Sequence, residues 1–499
     1  MKHIRALAIA AAALLAAHLP ASAADQEITI ARSVSTTAMD PGFLREAATI
    51  VDNIFDTLVM RDSKMQLVPG LATSWTAIDD TTWEFKLRTG VTFHDGESFD
   101  AEAVKFTIDR IIDPQANSPT LSYIRTVASV EVVDRETVRI KTNGPDPLLP
   151  TRMSRYPAYI VPPNYVEKVG NDVFASKPIG TGPYKLVDFV PDQHVILEAN
   201  AGYWRGKPAI DKVTFRAIPD GTARMTALLT GEADLVENVP VDLVPLVSQS
   251  PDADLVQVKN GGLTVYLGLV MSQKPLGELK VRQALDAAID RKGIVDNILG
   301  GMASVKGTQV GPADFGYLDV PPTAYDPERA KELLKEAGYP DGFSIKMQST
   351  RRYMKDSEVA QAIAQQFGDV GVKIDQEVLD WAVYTKDVPR KGPIFMLGWG
   401  STQTLDADAA IYAIMRSGEP YSTASVPELD TLLDESRKIV DPEARKKVLE
   451  EIQTVAQKQV PLLTLYQEDA LYGKAKNVTF EGRPDARIPV FDIKLEAAQ

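Results

Sequence analysis

Trp83-Glu84-Phe85-Lys86-Leu87-Arg88, followed by Phe93-His94-Asp95-Gly96, is the stretch from which the fold can be read. Trp83 to Leu87 reads as one of a pair of strands, the other lying around Trp75, and Phe93 to Gly96 reads as a turn. Asp100 then caps a helix running through Ile111, with Val104, Phe106, Ile108 and Ile111 along it. His94 invites a metal reading. However, no second His or carboxylate stands at short ligand spacing, and of the four histidines only His94 and His194 lie beyond the N-terminal segment. A structural place beside the turn is the better expectation.

On the N-terminal side of this block, Glu27 to Ala31 alternates polar and apolar residues and reads as a strand. The Ser/Thr-rich run Ser33 to Asp40 leaves it as a loop. Ligands of doubly wound α/β lobes sit beyond the carboxyl ends of strands, so Ser35, Thr36 and Thr37 are cleft candidates; a polar loop in solvent is the other reading. On the C-terminal side, Asp211 to Ile218, Thr222 to Thr230 and Ala233 to Val236 form a strand, helix, strand unit of an α/β lobe. Lys280 to Ile289 carries apolar residues at helical spacing, and Asp326-Pro327-Glu328 opens a capped helix that stops at Gly338. Ser357 to Phe367, Pro427 to Val440 and Ala444 to Gln457 read as further helices. Val265 to Leu269, Val372 to Val378 and Phe395 to Leu397 read as strands, and Leu462 to Tyr466 as the strand returning the chain to the first lobe. Gly180-Thr181-Gly182-Pro183-Tyr184 lacks the Lys-Ser/Thr of a phosphate loop, and Pro183 removes an amide donor, so it is a tight entry into the strand from Tyr184 to Phe189.

Lys2, His3 and Arg5 precede an apolar run from Ala6 to Leu19, and Pro20-Ala21-Ser22-Ala23 supplies the small residues of a cleavage site. Residues 1–23 are therefore expected to be a signal peptide, with a run too short for the roughly twenty residues of a membrane span. The 499 residues contain no cysteine, which excludes disulfides, thiolate metal sites and lipid attachment at a cysteine. The formal charge of −14 becomes −16 once Lys2 and Arg5 are removed, which argues against nucleic acid as a partner. The length exceeds the roughly 250 to 300 residues at which one core stops growing, so at least two lobes are expected, with a ligand site between them.

Four segments, Trp83-Glu84-Phe85-Lys86-Leu87-Arg88, Phe93-His94-Asp95-Gly96, Gly180-Thr181-Gly182-Pro183-Tyr184 and Tyr325-Asp326-Pro327-Glu328-Arg329-Ala330, together resemble the family 5 solute-binding proteins of ABC importers. The resemblance spans essentially the whole chain after residue 23. It implies a periplasmic binding protein-like fold, with two α/β lobes joined by a hinge and an extra subdomain inserted in lobe one. The implied division is 24–57 for the first segment of lobe one, 58–175 for the extra subdomain, 176–265 for the second segment of lobe one, 266–470 for lobe two and 471–499 for the return to lobe one. It further implies a periplasmic monomer, without cofactor or metal, that hands a captured solute to an ABC permease and ATPase.

Three groups fall where that family places ligand contacts. Arg351-Arg352-Tyr353 follows the strand from Ser344 to Ser349, and a guanidinium fork suits a carboxylate or phosphate. Trp381 follows the strand bearing Glu377, and Trp399 opens the run Gly400, Ser401, Thr402, Gln403, Thr404; two tryptophans after strands can flank one cleft. Surface arginines and core tryptophans are the competing readings. Peptide binders of the family usually carry an Asp shortly after the second Trp, for the ligand's α-ammonium, whereas here no carboxylate precedes Asp406. The run looks more like the glutathione-binding branch, and its hydroxyls would also suit an opine or a sugar. Val270-Met271 likewise departs from the Asn-Thr common in relatives. The expected function is capture of a small peptide or peptide-like solute, with glutathione, an opine, an oligosaccharide or a nickel chelate as alternatives. Catalysis is disfavoured because Cys is absent and neither histidine lies beside a nucleophile motif such as Gly-x-Ser-x-Gly.

Overall fold

The computed structural model describes residues 26–44, 48–155, 158–387, 392–401 and 404–496. The expected signal peptide, residues 1–23, lies outside the described residues, as do Thr402 and Gln403.

Two mixed sheets form the centres of the two lobes. In lobe one, seven strands run in the order Ala253–Val258, Ala470–Ala475, Leu235–Glu237, Glu27–Arg32, Lys212–Ala217, His194–Ala199 and Tyr184–Val190. The middle three are parallel, with Ile30 opposite both Leu235 and Phe215. Both faces of Glu27–Arg32 are covered: Ile28 and Ile30 enter one apolar core and Ala31 another. Apolar residues on both faces are what a central parallel strand requires.

Lobe two holds six strands in the order Ala303–Val305, Leu462–Glu468, Thr264–Leu269, Ile394–Trp399, Phe343–Ser349 and Val372–Val378, of which the last three are parallel. Helices such as Asp356–Asp369 and Pro442–Gln459 cover this sheet, and its strands and helices share one large core. The strand Leu462–Glu468 pairs with Thr264–Leu269 inside this sheet, which corrects the expectation that it returns the chain to lobe one. The return is made by Ala470–Ala475, one residue later. Both segments are apolar and β-prone, so the change of sheet at Asp469 leaves no periodicity signal.

The extra subdomain is a four-stranded antiparallel sheet, Ala72–Asp79, Thr82–Leu87, Thr137–Thr142 and Val127–Asp134, backed by the helix Ala101–Ile112. Asp100 caps that helix by accepting from the N–H of Glu102. The turn at His94 docks onto the Gly180–Tyr184 segment. His94 N donates to Gly180 O at 2.9 Å, its ring Nδ1 faces Gly180 N at 3.3 Å, and Nε2 faces Gly182 O at 3.0 Å. The glycines are forced by proximity: a Cβ at Gly180 would sit 2.1 Å from Ile54 O.

That geometry suits one neutral tautomer, with Nε2–H donating and Nδ1 accepting. Burial lowers the His94 pKa to about 4. The folded value lies below the unfolded value of about 6.5, so stability is fully present above pH 6.5 and is lost as pH falls from 6.5 towards 4. The wild type should lose roughly 3 kcal/mol over that interval relative to His94→Gln. Urea unfolding at a series of pH values tests this, and parallel curves for the two proteins would refute it.

Asp406 and Arg445 form a buried bidentate pair in lobe two at 2.7 Å for each bond, with each side chain 4% exposed. Asp406→Ala leaves the guanidinium buried and unpaired. The expected cost is about 3–5 kcal/mol, read as a lowered thermal midpoint, whereas an exposed replacement such as Asp95→Ala should cost little.

Candidate ligand-binding cleft

The carboxyl ends of the three parallel strands of lobe two carry the predicted groups to one place. Phe343–Ser349 runs into Arg352 and Tyr353, Val372–Val378 into the helix Trp381–Asp387, and Ile394–Trp399 ends at Trp399 itself. Together with Leu263, Tyr384 and Tyr421 they line an open cavity. A Cβ at Gly398 would meet the Tyr353 ring at 2.5 Å, so glycine lets that ring lie flat on the strand. Tyr353 meets Trp381 edge-on at 6.2 Å, and Trp381 stacks on Tyr384 at 6.2 Å. Trp399 packs against Tyr421 at 5.0 Å and donates from Nε1 to Ala409 O at 2.8 Å, which fixes its plane.

Arg352 lies with its guanidinium carbon 5.3 Å from the centre of the Trp381 ring. Its backbone N–H and that of Tyr353 both donate to Asp356 Oδ2, at 2.6 and 2.9 Å, which pins the turn that presents them. Among the described residues no carboxylate lies within 4 Å of the guanidinium. Arg351 is exposed and outside the cavity. Burial pushes the Tyr353 hydroxyl up to about 12, so it remains a neutral donor at every physiological pH.

The segment after Trp399 is built inward. A Cβ at Gly400 would lie 3.2 Å from the Leu263 side chain, and Ser401 is buried with its hydroxyl donating to Asp314. Burial raises the Asp314 pKa to about 6. Thr404 O accepts from the Arg61 guanidinium of lobe one. Arg61 is held by this carbonyl and by Met65 O, and desolvation lowers its pKa to about 10. Beyond it opens a hollow lined in part by Asp52, Arg483 and Arg487; Arg483 pairs with Asp485 at 2.8 Å and Arg487 lies 3.6 Å from Asp52.

Ser35, Thr36 and Thr37 do not line the lobe-two cavity. Thr36 is buried, with its hydroxyl 3.4 Å from Arg32 and its carbonyl accepting from Asp192 N. The carboxyl end of that strand instead presents Ser33, which donates from N and Oγ to Glu237 at 2.9 and 3.1 Å and accepts from Asn238. Sequence reasoning also passed over Tyr384, Tyr421, Arg61 and Glu468. Tyr384 stands three residues after Trp381 on one helix face, a spacing that could have revealed it. Tyr421 reaches the cavity only through tertiary contacts, and Arg61 and Glu468 lie outside its lining.

The lobes meet through two chain crossings, residues 259–263 and Asp469. Gly262 N donates to Glu468 O and Glu468 N to Leu263 O, each at 2.9 Å, while Asp469 accepts from Asn260 N at 2.9 Å and from Gln257 at 2.6 Å. Lys355 of lobe two also reaches Asp242 of lobe one at 2.7 Å, and Met354 packs against the cores of both lobes.

Residues 66–422 match the family model described as bacterial extracellular solute-binding proteins, family 5 Middle. The chain belongs to this family of solute-binding proteins. It is 31% identical over 498 residues to the glutathione-binding protein GsiB of Salmonella typhimurium, covering 96% of each chain. Among solved structures it is similar to HbpA2 from Haemophilus parasuis, with a TM-score of 0.86 and 25% identity over 94% of this chain and 100% of that one. It is also similar to the periplasmic binding protein DppA from Helicobacter pylori in complex with the peptide STSA, with a TM-score of 0.77 and 26% identity over 94% and 98% of the two chains. The described residues contain no cluster of three or more His, Asp or Glu side chains able to hold a metal, and no helix long and apolar enough to cross a membrane.

At the first crossing, a Cβ on Gly262 would stand 2.8 Å from Glu468 Cβ and 2.9 Å from Glu468 O. Gly262→Val should therefore spread the paired crossings, lowering the thermal midpoint and changing the radius of gyration of the ligand-free protein in small-angle scattering. An unchanged scattering curve would show that the pairing does not set the lobe angle.

Proposed function

We propose that this protein captures a small peptide or peptide-like solute, with glutathione the first candidate, and delivers it from the periplasm to an ABC permease and its ATPase as a monomer. The observation that carries this reading is the Arg352 guanidinium lying over Trp381, at the wall of an aromatic cavity, with no carboxylate of the described residues beside it. A guanidinium in that position suits a ligand carboxylate, through charge-assisted bonds worth about 1.5–3 kcal/mol. Trp381, Trp399 and Tyr421 supply flat apolar faces for the rest of the solute, and the Tyr353 hydroxyl a neutral donor. In this reading Arg352, Tyr353, Trp381 and Trp399 are the contacts of lobe two, Gly400, Ser401 and Thr404 shape the adjoining wall, and Ser35, Thr36 and Thr37 belong to the lobe-one side without reaching the cavity. Thr402 and Gln403 stay candidates by their place in the chain. Solute bound between the lobes favours the closed form, because only that form makes both sets of contacts.

The relatives named for glutathione support that solute over opines and nickel chelates, since they match at 30–31% identity across nearly the whole chain. Titration calorimetry with reduced glutathione is the test. Binding is expected, and Arg352→Ala should weaken it about 10- to 100-fold while leaving the thermal midpoint of the free protein within a degree or two. Absence of heat with glutathione, together with binding of an uncharged oligosaccharide, would overturn the reading.

A further inference from the structure

Arg61 ends the strand Val59–Arg61, which pairs with Leu67–Pro69 in a hairpin of the extra subdomain, and its guanidinium reaches across to lobe two. One nitrogen donates to Met65 O in the same hairpin and another to Thr404 O on the far side. Among the described residues the guanidinium makes no ion pair, and these two carbonyls are its acceptors. Burial lowers its pKa to about 10, so it stays charged at neutral pH. The desolvated cation leans on two carbonyl dipoles, with the more distant Asp485, Asp406 and Asp314 favouring its charge and Arg487 opposing it.

Both ends of this contact are held in place by their own body. On the subdomain side, Arg61 O accepts from Arg483 Nη2 at 3.4 Å, and Arg483 is clamped to Asp485 by bonds of 2.9 and 2.8 Å. On the other side, Thr404 N and Leu405 N both donate to Ser401 O, at 2.7 and 2.6 Å, and Leu405 is left-handed at φ 51°. Ser401 is tied to Asp314 and Asp406 to Arg445, which anchors the turn in lobe two. The turn begins two residues after Trp399, a wall of the cavity. The apolar core of the extra subdomain and that of lobe two share no residue, whereas Met354 packs against cores on both sides of the hinge. The contact at Arg61 is thus polar and separable, while the one at the hinge is apolar.

We propose that Arg61 is a positioning residue through which the extra subdomain latches the lobe-two wall: its bond to Thr404 O forms as the lobes close over a solute and breaks before the solute leaves. The latch rests on the capture reading and gives the extra subdomain a part in retention without contact to the solute. A bond made in the closed form alone slows opening and leaves encounter untouched. One charge-assisted bond of this kind corresponds to about 10- to 100-fold in the opening equilibrium.

The first arm of the test follows reduced glutathione by stopped-flow tryptophan fluorescence, since Trp381 and Trp399 line the cavity. Arg61→Met keeps an unbranched apolar stem and removes the donors; it should release glutathione about 10-fold faster, with an association rate within about twofold of wild type. Arg61→Lys keeps the charge but lacks the fork that spans both carbonyls, and its release rate should fall between the two. An unchanged release rate overturns the latch, as does a loss of affinity that appears in the association rate.

The second arm is independent of the solute. The chain has no cysteine, so Lys64→Cys beside Arg61 and Lys447→Cys in lobe two, both at exposed positions, accept one pair of spin labels. Electron–electron distance measurements should show a short-distance population that Arg61→Met depletes. Equal distributions in the two backgrounds, with and without glutathione, overturn the latch. A wild type that binds no glutathione while its short population still depends on Arg61 overturns the proposed solute and leaves the latch standing.

Discussion

The short backbone ladder at the two crossings, Gly262 to Glu468 and Glu468 to Leu263, is the constraint on which the rest depends. Each sheet is complete within its own lobe, and the described chain passes between them only there. Any change of lobe angle is thus absorbed by a few residues around Asn260, Gly262 and Asp469, while the cores move as bodies. Asn260 already holds a left-handed conformation at φ 57°, which Asn accepts more readily than most residues. Leu263 belongs both to this ladder and to the lining of the cavity, so the crossing and the cavity wall are continuous.

Much of this was legible in the residues. The caps at Asp100 and Asp326 accept from Glu102 and Arg329 N–H groups as their positions before helical runs imply. The placement of Arg352, Tyr353, Trp381 and Trp399 at one rim follows from a rule of α/β sheets that needs only the strands to be recognised. Two features escaped for physical reasons. The change of sheet at Asp469 lies between two apolar strands, and periodicity does not say which sheet a strand joins. Glu468 looks like any other acidic residue in the chain; what sets it apart is desolvation, which arises from contacts more than a hundred residues away in sequence, such as Met354. His94, in contrast, stands beside the turn as its place in the sequence implies, with its ring facing Gly180 N and Gly182 O.

The charges at the cleft follow a division. Those that stabilise the fold are paired tightly, as with the buried Asp406 and Arg445 or the half-exposed Arg437 on buried Asp408. Arg352, Arg61 and Glu468 lean instead on an aromatic face, on carbonyls or on a single N–H. An ion kept without a counter-ion is a cost to the isolated protein, and it persists where another process supplies the missing partner.

The aromatic faces of the cavity, Tyr353, Trp381, Tyr384, Trp399 and Tyr421, all belong to lobe two. If the cavity is the solute site proposed above, a solute arriving from solution finds one complete landing surface before the lobes move, and the lifetime of the complex is set by how often the lobes part. Selectivity in such a device resides in the rate of escape: poorly matched molecules land as often as good ones and leave sooner.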